Sequence, residues 1–289
     1  MVRFAEPLIR VYNRPVAGGW RCVMSDWLKK HGRKVLMAIL AAVLAVSLTV
    51  TAVQRAQDRA NAEANAEAAE LAGLPPVRDQ PAVESRDAKP GENDVPPDVA
   101  ALLAVNLEAL QAVNPDVMGW IEIPGTELSY PIVQGEDNRC YLDHNWKGES
   151  NRGGSIFLEA TSGADFTGFH TIIYGHRMRD GSMFGSLRHY RDQSYWQEHP
   201  DVYIAAGGRV YRYAIFSAHE SGIRDLTYRL DLVESGLQGE FLQYCADGSV
   251  IDTGGAPDTG HILTLSTCTG SGYRTRWVVH CYLAGTWEA

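Results

Sequence analysis

Cys268 and Arg276 are the two residues whose types and spacing point most directly to chemistry. A thiolate is a strong nucleophile, nearby positive charge favours it, and arginine never gives up its charge. The same guanidinium could hold an oxyanion or a substrate carbonyl through its fork of donors. Cys268 closes the run Ile262–Cys268, in which Leu263, Leu265 and Thr267 alternate with Thr264, Ser266 and Cys268. That is the period of a strand. Gly270 and Gly272 interrupt the next seven residues, and Arg276-Trp-Val-Val279 then resumes β-forming sequence. The thiol is therefore expected at the end of one strand and the guanidinium at the start of the next, across a loop. These two residues alone leave a plainer alternative open: a buried cysteine ending a strand and an arginine on a solvated edge.

The longer string decides between them. Thr264-Leu-Ser-Thr-Cys268, followed by an arginine opening a Val-rich strand, resembles the active-site signature of sortases, the cell-wall cysteine transpeptidases. Leu265-Ser-Thr-Cys268, with serine two before the cysteine, is similar to the class B form. Four more segments resemble class B: Gly119–Thr126 (GWIEIPGT), Tyr130–Gln134 (YPIVQ), Gly154–Leu158 (GSIFL), and Tyr174–Met178 (YGHRM) continuing to Asp180–Leu187 (DGSMFGSL). The resemblance implies a mainly β fold, the sortase-type closed eight-stranded barrel, with an N-terminal helix and a long helix inserted before the catalytic strand. It also singles out His176 among nine histidines, since His176 follows the strand-like Thr171–Tyr174 inside the matching segment. Its glycine neighbour is expected to permit close backbone approach.

Cysteine, histidine and arginine suffice for thiol acyl transfer. Cys268 would attack a peptide carbonyl, and His176 would protonate the departing amine and later take a proton from the incoming one. Arg276 would steady the oxyanion. Ser266 and Thr267 are the expected substrate contacts; for Ser266, a bond to backbone is the alternative. The resemblance implies cleavage of an Asn-Pro-x-Thr-type C-terminal sorting motif after Thr, a thioacyl-enzyme, and transfer to a peptidoglycan stem or cross-bridge amine. A pilin lysine is the other acceptor known in the family. No cofactor and no metal are expected, because no clear acidic cluster suggests calcium. A secreted cysteine peptidase and a membrane-tethered scaffold protein are the competing readings.

Composition narrows the setting. The net charge of −9 argues against nucleic acid as a partner. Val35–Val53 carries no charge over nineteen residues, enough to cross a hydrocarbon core. Eight basic residues precede this run against Glu6 and Asp26, which predicts a cytoplasmic tail over 1–34 and an extracellular remainder. A cleaved signal peptide is the alternative. Of five cysteines, Cys22 falls on the inner side, and Cys140, Cys245 and Cys281 allow one disulfide at most if Cys268 stays free. Strand parity with Trp277 and Val279 puts Cys281 in the core.

Residues 56–72 are rich in Ala and Glu with almost no apolar stripe, and read as a solvated stalk. A Pro-rich linker follows to residue 97. The catalytic domain is expected over 98–289, opening with a helix over 99–113 capped by Asp98. Strands are expected at 118–123, 130–133, 155–157, 171–174, 202–205, 210–217, 262–267 and 276–283. Helical spacing of Leu230, Val233, Leu237, Phe241 and Tyr244 predicts a helix over 228–245.

Overall fold

The computed structural model describes residues 19–75 and 95–288, except Ala164, Thr167, Thr259 and 271–273; the side chains of 19–30 and of Asp98 are also outside the description. Most of the basic tail and most of the Pro-rich linker therefore lie outside the described residues. The chain forms two compact units, one ending at Arg55 and one running from Ala56 to the C-terminus. Helix α1, Gly19–Ala72, contributes to both. In the first unit its apolar side chains, among them Met37, Val43 and Val46, are largely exposed. Among the described residues it is the one helix long and apolar enough to cross a membrane.

The second unit is a closed eight-stranded barrel. Its strands are β1 Val117–Glu122, β2 Ser129–Val133, β3 Ile156–Leu158, β4 His170–Tyr174, β5 Asp201–Ala206, β6 Arg209–Gly222, β7 Ile262–Cys268 and β8 Thr275–Glu288. They close in the order β1-β2-β3-β4-β7-β8-β6-β5. All eight expected strands are present. Alternation decides which side chains fill the barrel: Leu263 and Leu265 of β7 meet Trp277, Val279 and Cys281 of β8 in the interior. Cys281 is fully buried there, and Cys140, Cys245, Cys268 and Cys281 are all free thiols.

The expected helix over 99–113 is instead two, α2 Pro97–Leu103 and α3 Leu107–Val113. Asp98 lies inside the first turn, because Pro97 already occupies the first helical position. Asn106 caps α3, its side chain accepting from the Ala109 N–H at 3.0 Å. Helices α4 Gln193–Glu198 and α5 Gln238–Gly248 complete the set. The helix before β7 is thus shorter than expected. Asp231 accepts from Arg229 and Ser235 and folds residues 229–236 into turns, and Gly236 adopts φ +66°. Leu230 and Val233, two of the five residues behind the longer expectation, are exposed.

The stalk reading also needs correction. Asn61, Ala64, Ala68 and Ala72 recur every three or four residues and are buried against the barrel with Leu74, Trp120, Tyr141 and Trp146. The Trp146 indole N–H donates to Ala64 O (2.7 Å), and Lys147–Glu67 and Arg152–Asp58 flank it, each at 2.8 Å. Alanine lets the helix approach closely but hardly registers as an apolar stripe. A chain beginning at Asp98 would expose this seam. It is expected to lose roughly 5–6 kcal/mol relative to one beginning at Ala56, from three alanine methyls and the four side-chain carbons of a leucine at ~0.8 kcal/mol per buried carbon. Denaturant titration of the two chains checks this; equal midpoints would return residues 56–74 to the role of a spacer.

Candidate active site

Strands β4 and β7 are parallel neighbours, with Tyr174 opposite Ser266, so their C-terminal ends emerge at one rim of the barrel. His176 follows β4 and Cys268 ends β7. Across the antiparallel β7–β8 pair, Cys268 faces Arg276 directly. The barrel's closure therefore gathers three residues that lie up to a hundred positions apart in sequence. Parity does the rest. Cys268, Ser266 and Arg276 point to the outer face, while Leu265 and Trp277 point into the core.

The three side chains line a cleft of about 270 Å³, together with Ser266, Thr267, Tyr174, Asn138 and Leu142. Cys268, His176 and Arg276 are all half-buried. His176 Nε2 sits 2.6 Å from Leu142 O. A carbonyl only accepts, so Nε2 carries the hydrogen, and Nδ1 is the nitrogen left to exchange a proton with the cleft. Arg276 donates from Nη1 to Thr275 O (2.9 Å).

Backbone ties hold the rim together. Thr267 is buried, and its hydroxyl donates to Gly175 O (2.7 Å), while Gly175 N–H donates to Ser266 O (3.2 Å). The Thr267 hydroxyl is thereby committed to joining β7 to the end of β4. Arg177, next to His176, donates from Nη1 to Thr269 O, next to Cys268. Gly270 lies at φ +81°, and a Cβ there would sit 2.8 Å from that guanidinium. Gly175 makes room for core side chains rather than backbone: a Cβ would fall 2.5 Å from Ile156 Cδ1 and 2.8 Å from Phe184.

Ser266 is buried and bonds to the Tyr228 hydroxyl at 2.8 Å rather than to backbone. Burial, chiefly, pushes the Tyr228 phenol up to about 12, and Arg276 pulls it back, which places the guanidinium within electrostatic reach. Tyr174 donates to Glu159 Oε2 (2.8 Å), as Asn138 Nδ2 does (2.6 Å). Burial first and Glu159 second raise the Tyr174 phenol far above its usual range. Arg177 lies within the matching Tyr174–Met178 segment without being singled out there, whereas Tyr228 and Asn138 carry no sequence signal of their own as site residues and only the fold brings them here. The other described histidines lie elsewhere, with His170, His219 and His280 buried together on the same outer face, further down β7 and β8.

Gly154 tests how much the histidine's position matters. It sits at φ +58°, and a Cβ there would lie 2.7 Å from Leu142 O and 3.0 Å from His176 Cδ2. Gly154→Ala should cost at least ~1 kcal/mol from the left-handed backbone alone. Displacing the ring should lower kcat by roughly 10-fold or more, a fraction of what general acid catalysis supplies. An unchanged kcat would show that the Leu142–His176 bond does not position the ring for catalysis.

Comparison with known proteins agrees with this architecture. A family model described as the sortase domain matches residues 121–284. Sortase B of Listeria monocytogenes is 39% identical over 164 residues, 56% of this chain and 66% of that protein, just under two thirds of its length. The crystal structure of sortase B from B. anthracis in complex with AAEK2 matches with a TM-score of 0.62 at 30% identity, covering 78% of this chain and 97% of that one. A Staphylococcus aureus sortase B–substrate complex matches with a TM-score of 0.57 at 30% identity, covering 64% and 85%. The chain belongs to the sortase family, in its class B.

Proposed function

We propose that this protein is a membrane-anchored cysteine transpeptidase. Cys268 attacks the Thr carbonyl of an Asn-Pro-x-Thr-type sorting motif, and the tetrahedral oxyanion is held by Arg276. His176 gives a proton to the departing amine, leaving a thioester on Cys268. An incoming peptidoglycan amine then loses its proton to His176 and displaces the thiolate. Ser266 contacts substrate or, through Tyr228, helps orient Arg276. The observation that carries this reading is the meeting of Cys268, His176 and Arg276 in one cleft on the outer face of the barrel. That a related S. aureus enzyme has been seen with a substrate supports it.

Residues 35–53 would be the anchor and residues 1–34 the cytoplasmic tail, with the barrel outside the cell. The apolar stretch of α1 and the basic excess before it support that orientation. The test is a sorting-motif peptide incubated with the enzyme, with and without a glycine- or diamino-acid-terminated amine, read by mass spectrometry. A new Thr–amide product is expected in the presence of amine. Release of the free acid alone, whatever the amine, would identify a peptidase instead.

A further inference from the structure

A second cleft, larger than the one that holds Cys268, lies elsewhere on the barrel. A groove of about 630 Å³ runs between α1 and the barrel, bounded by the β1–β2 turn and by the loop that follows His176. That volume is typical of small-ligand sites. Its walls are mainly apolar, with Ala66, Ala69, Leu74 and Met178 among them. Its charged residues are all acidic: Asp58 and Glu70 on α1, Glu127 on the turn and Asp180 on the loop. Asp58 is paired with Arg152, which leaves Glu70, Glu127 and Asp180 to face a ligand. Asp180 also accepts from Ser182, a neutral partner.

A second observation is independent of the charges. Asn61 lines the groove and is only 5% exposed. Its amide nitrogen is turned to the Met183 sulfur (3.7 Å) and packs where Gly153 has no side chain. Its carbonyl oxygen has no hydrogen-bond partner in the fold. A buried acceptor left without a donor is costly, so the groove calls for a ligand that brings N–H or O–H. Negative charge tells which. Tyr130, at the floor, accepts from the Met183 N–H, and its phenol is raised to about 12 by burial and further by the charges of Glu127 and Asp180. The field in the groove is thus anionic.

We propose that this groove binds a lysine-type side chain of a peptide: a primary ammonium on an aliphatic stem. The stem lies on the alanine face of α1 and Met178, and the ammonium offers its three donors to the carboxylates and to Asn61 Oδ1. The groove also adjoins the machinery described above. Gly153 packs on Asn61, and Gly154, the next residue, packs on the His176 ring. The proposal concerns binding and stands apart from the transpeptidase reading, so its test uses no turnover.

The probe is Nα-acetyl-lysine amide titrated by calorimetry into the full chain in detergent, with Nα-acetyl-norleucine amide, its uncharged counterpart, as the comparator. Saturable binding of the lysine compound is expected, with the norleucine compound weaker by roughly tenfold or more. Glu127→Gln combined with Asp180→Asn should weaken the lysine compound by a similar factor. Should that pair disturb the loop, Ala66→Trp, at an exposed position of α1, obstructs the groove by bulk and should abolish binding. Equal affinity for both compounds would reduce the groove to an apolar recess and overturn the proposal. So would the absence of saturation, or lysine binding that survives Ala66→Trp.

Discussion

Cys268→Ala is expected to abolish both cleavage and transfer of a sorting peptide, by ~10⁴-fold or more, while the fold persists. The two halves of that expectation come from different features of one position. Cys268 is the last residue of β7, half-buried at the cleft, and belongs to none of the buried core clusters. Its backbone pairing with Arg276 does not depend on the thiol. Stability should therefore stay within about 1 kcal/mol of the parent. Cys281→Ala reverses the pattern. Its sulfur is fully buried in the barrel interior, so the substitution leaves a cavity and costs on the order of 1–2 kcal/mol, with chemistry largely spared. Peptide turnover read by mass spectrometry, alongside a thermal melt of each variant, gives both answers. Turnover retained in Cys268→Ala would remove the nucleophile and with it the transpeptidase reading.

The strands were legible because their pattern is local. Alternation along Ile262–Cys268 and the β-rich run after Arg276 fix which side chains point inward, and a two-residue period survives almost any context. Parity alone put Cys281 inside and Ser266 beside Cys268. The family resemblance then tied His176 to Cys268, a pairing that no local pattern contains. What stayed hidden depends on tertiary partners. An alanine stripe over residues 61–72 is invisible to a hydrophobicity pattern until Trp146 and Tyr141 press against it. The break between α2 and α3 turns on one Asn side chain that could equally sit within a helix. The roles of Tyr228, Asn138 and Arg177 exist only once the loops that carry them converge on the rim.

Acid should unfold the barrel through three buried histidines that lie outside the Cys268 cleft. His170 Nε2 and His280 Nδ1 both lie 2.8 Å from the Thr264 hydroxyl, and His219 stacks on His280 with ring centroids 5.0 Å apart. Ser217 bonds His219 Nδ1 at 3.1 Å. Phe216 of β6 and Phe241, Tyr244 and Cys245 of α5 close over the rings. Asp225 is the carboxylate that acts on His219, and it is too weak to offset burial. Burial drives His170 and His219 down to about 4 and His280 well below its usual 6.5, where the other two rings press it lower still. The sign follows. Well above pH 6.5 neither the folded nor the unfolded chain protonates these rings, and stability is full. Between about 6.5 and 4 the unfolded chain takes up protons that the folded chain refuses, so stability falls with pH. At 1.36 kcal/mol per unit, His170 and His219 would each forfeit about 3 kcal/mol across that window. Even a partial sum rivals the whole stability of an ordinary domain, about 5–15 kcal/mol. Urea titrations at pH 7, 5.5 and 4.5 should show this decline. His219→Phe, which keeps the stacking and removes one proton site, should flatten the slope by up to ~1.4 kcal/mol per pH unit. The same slope in parent and variant would show that the acid sensitivity arises elsewhere, most simply in the carboxylates, whose protonation belongs to a lower range of pH.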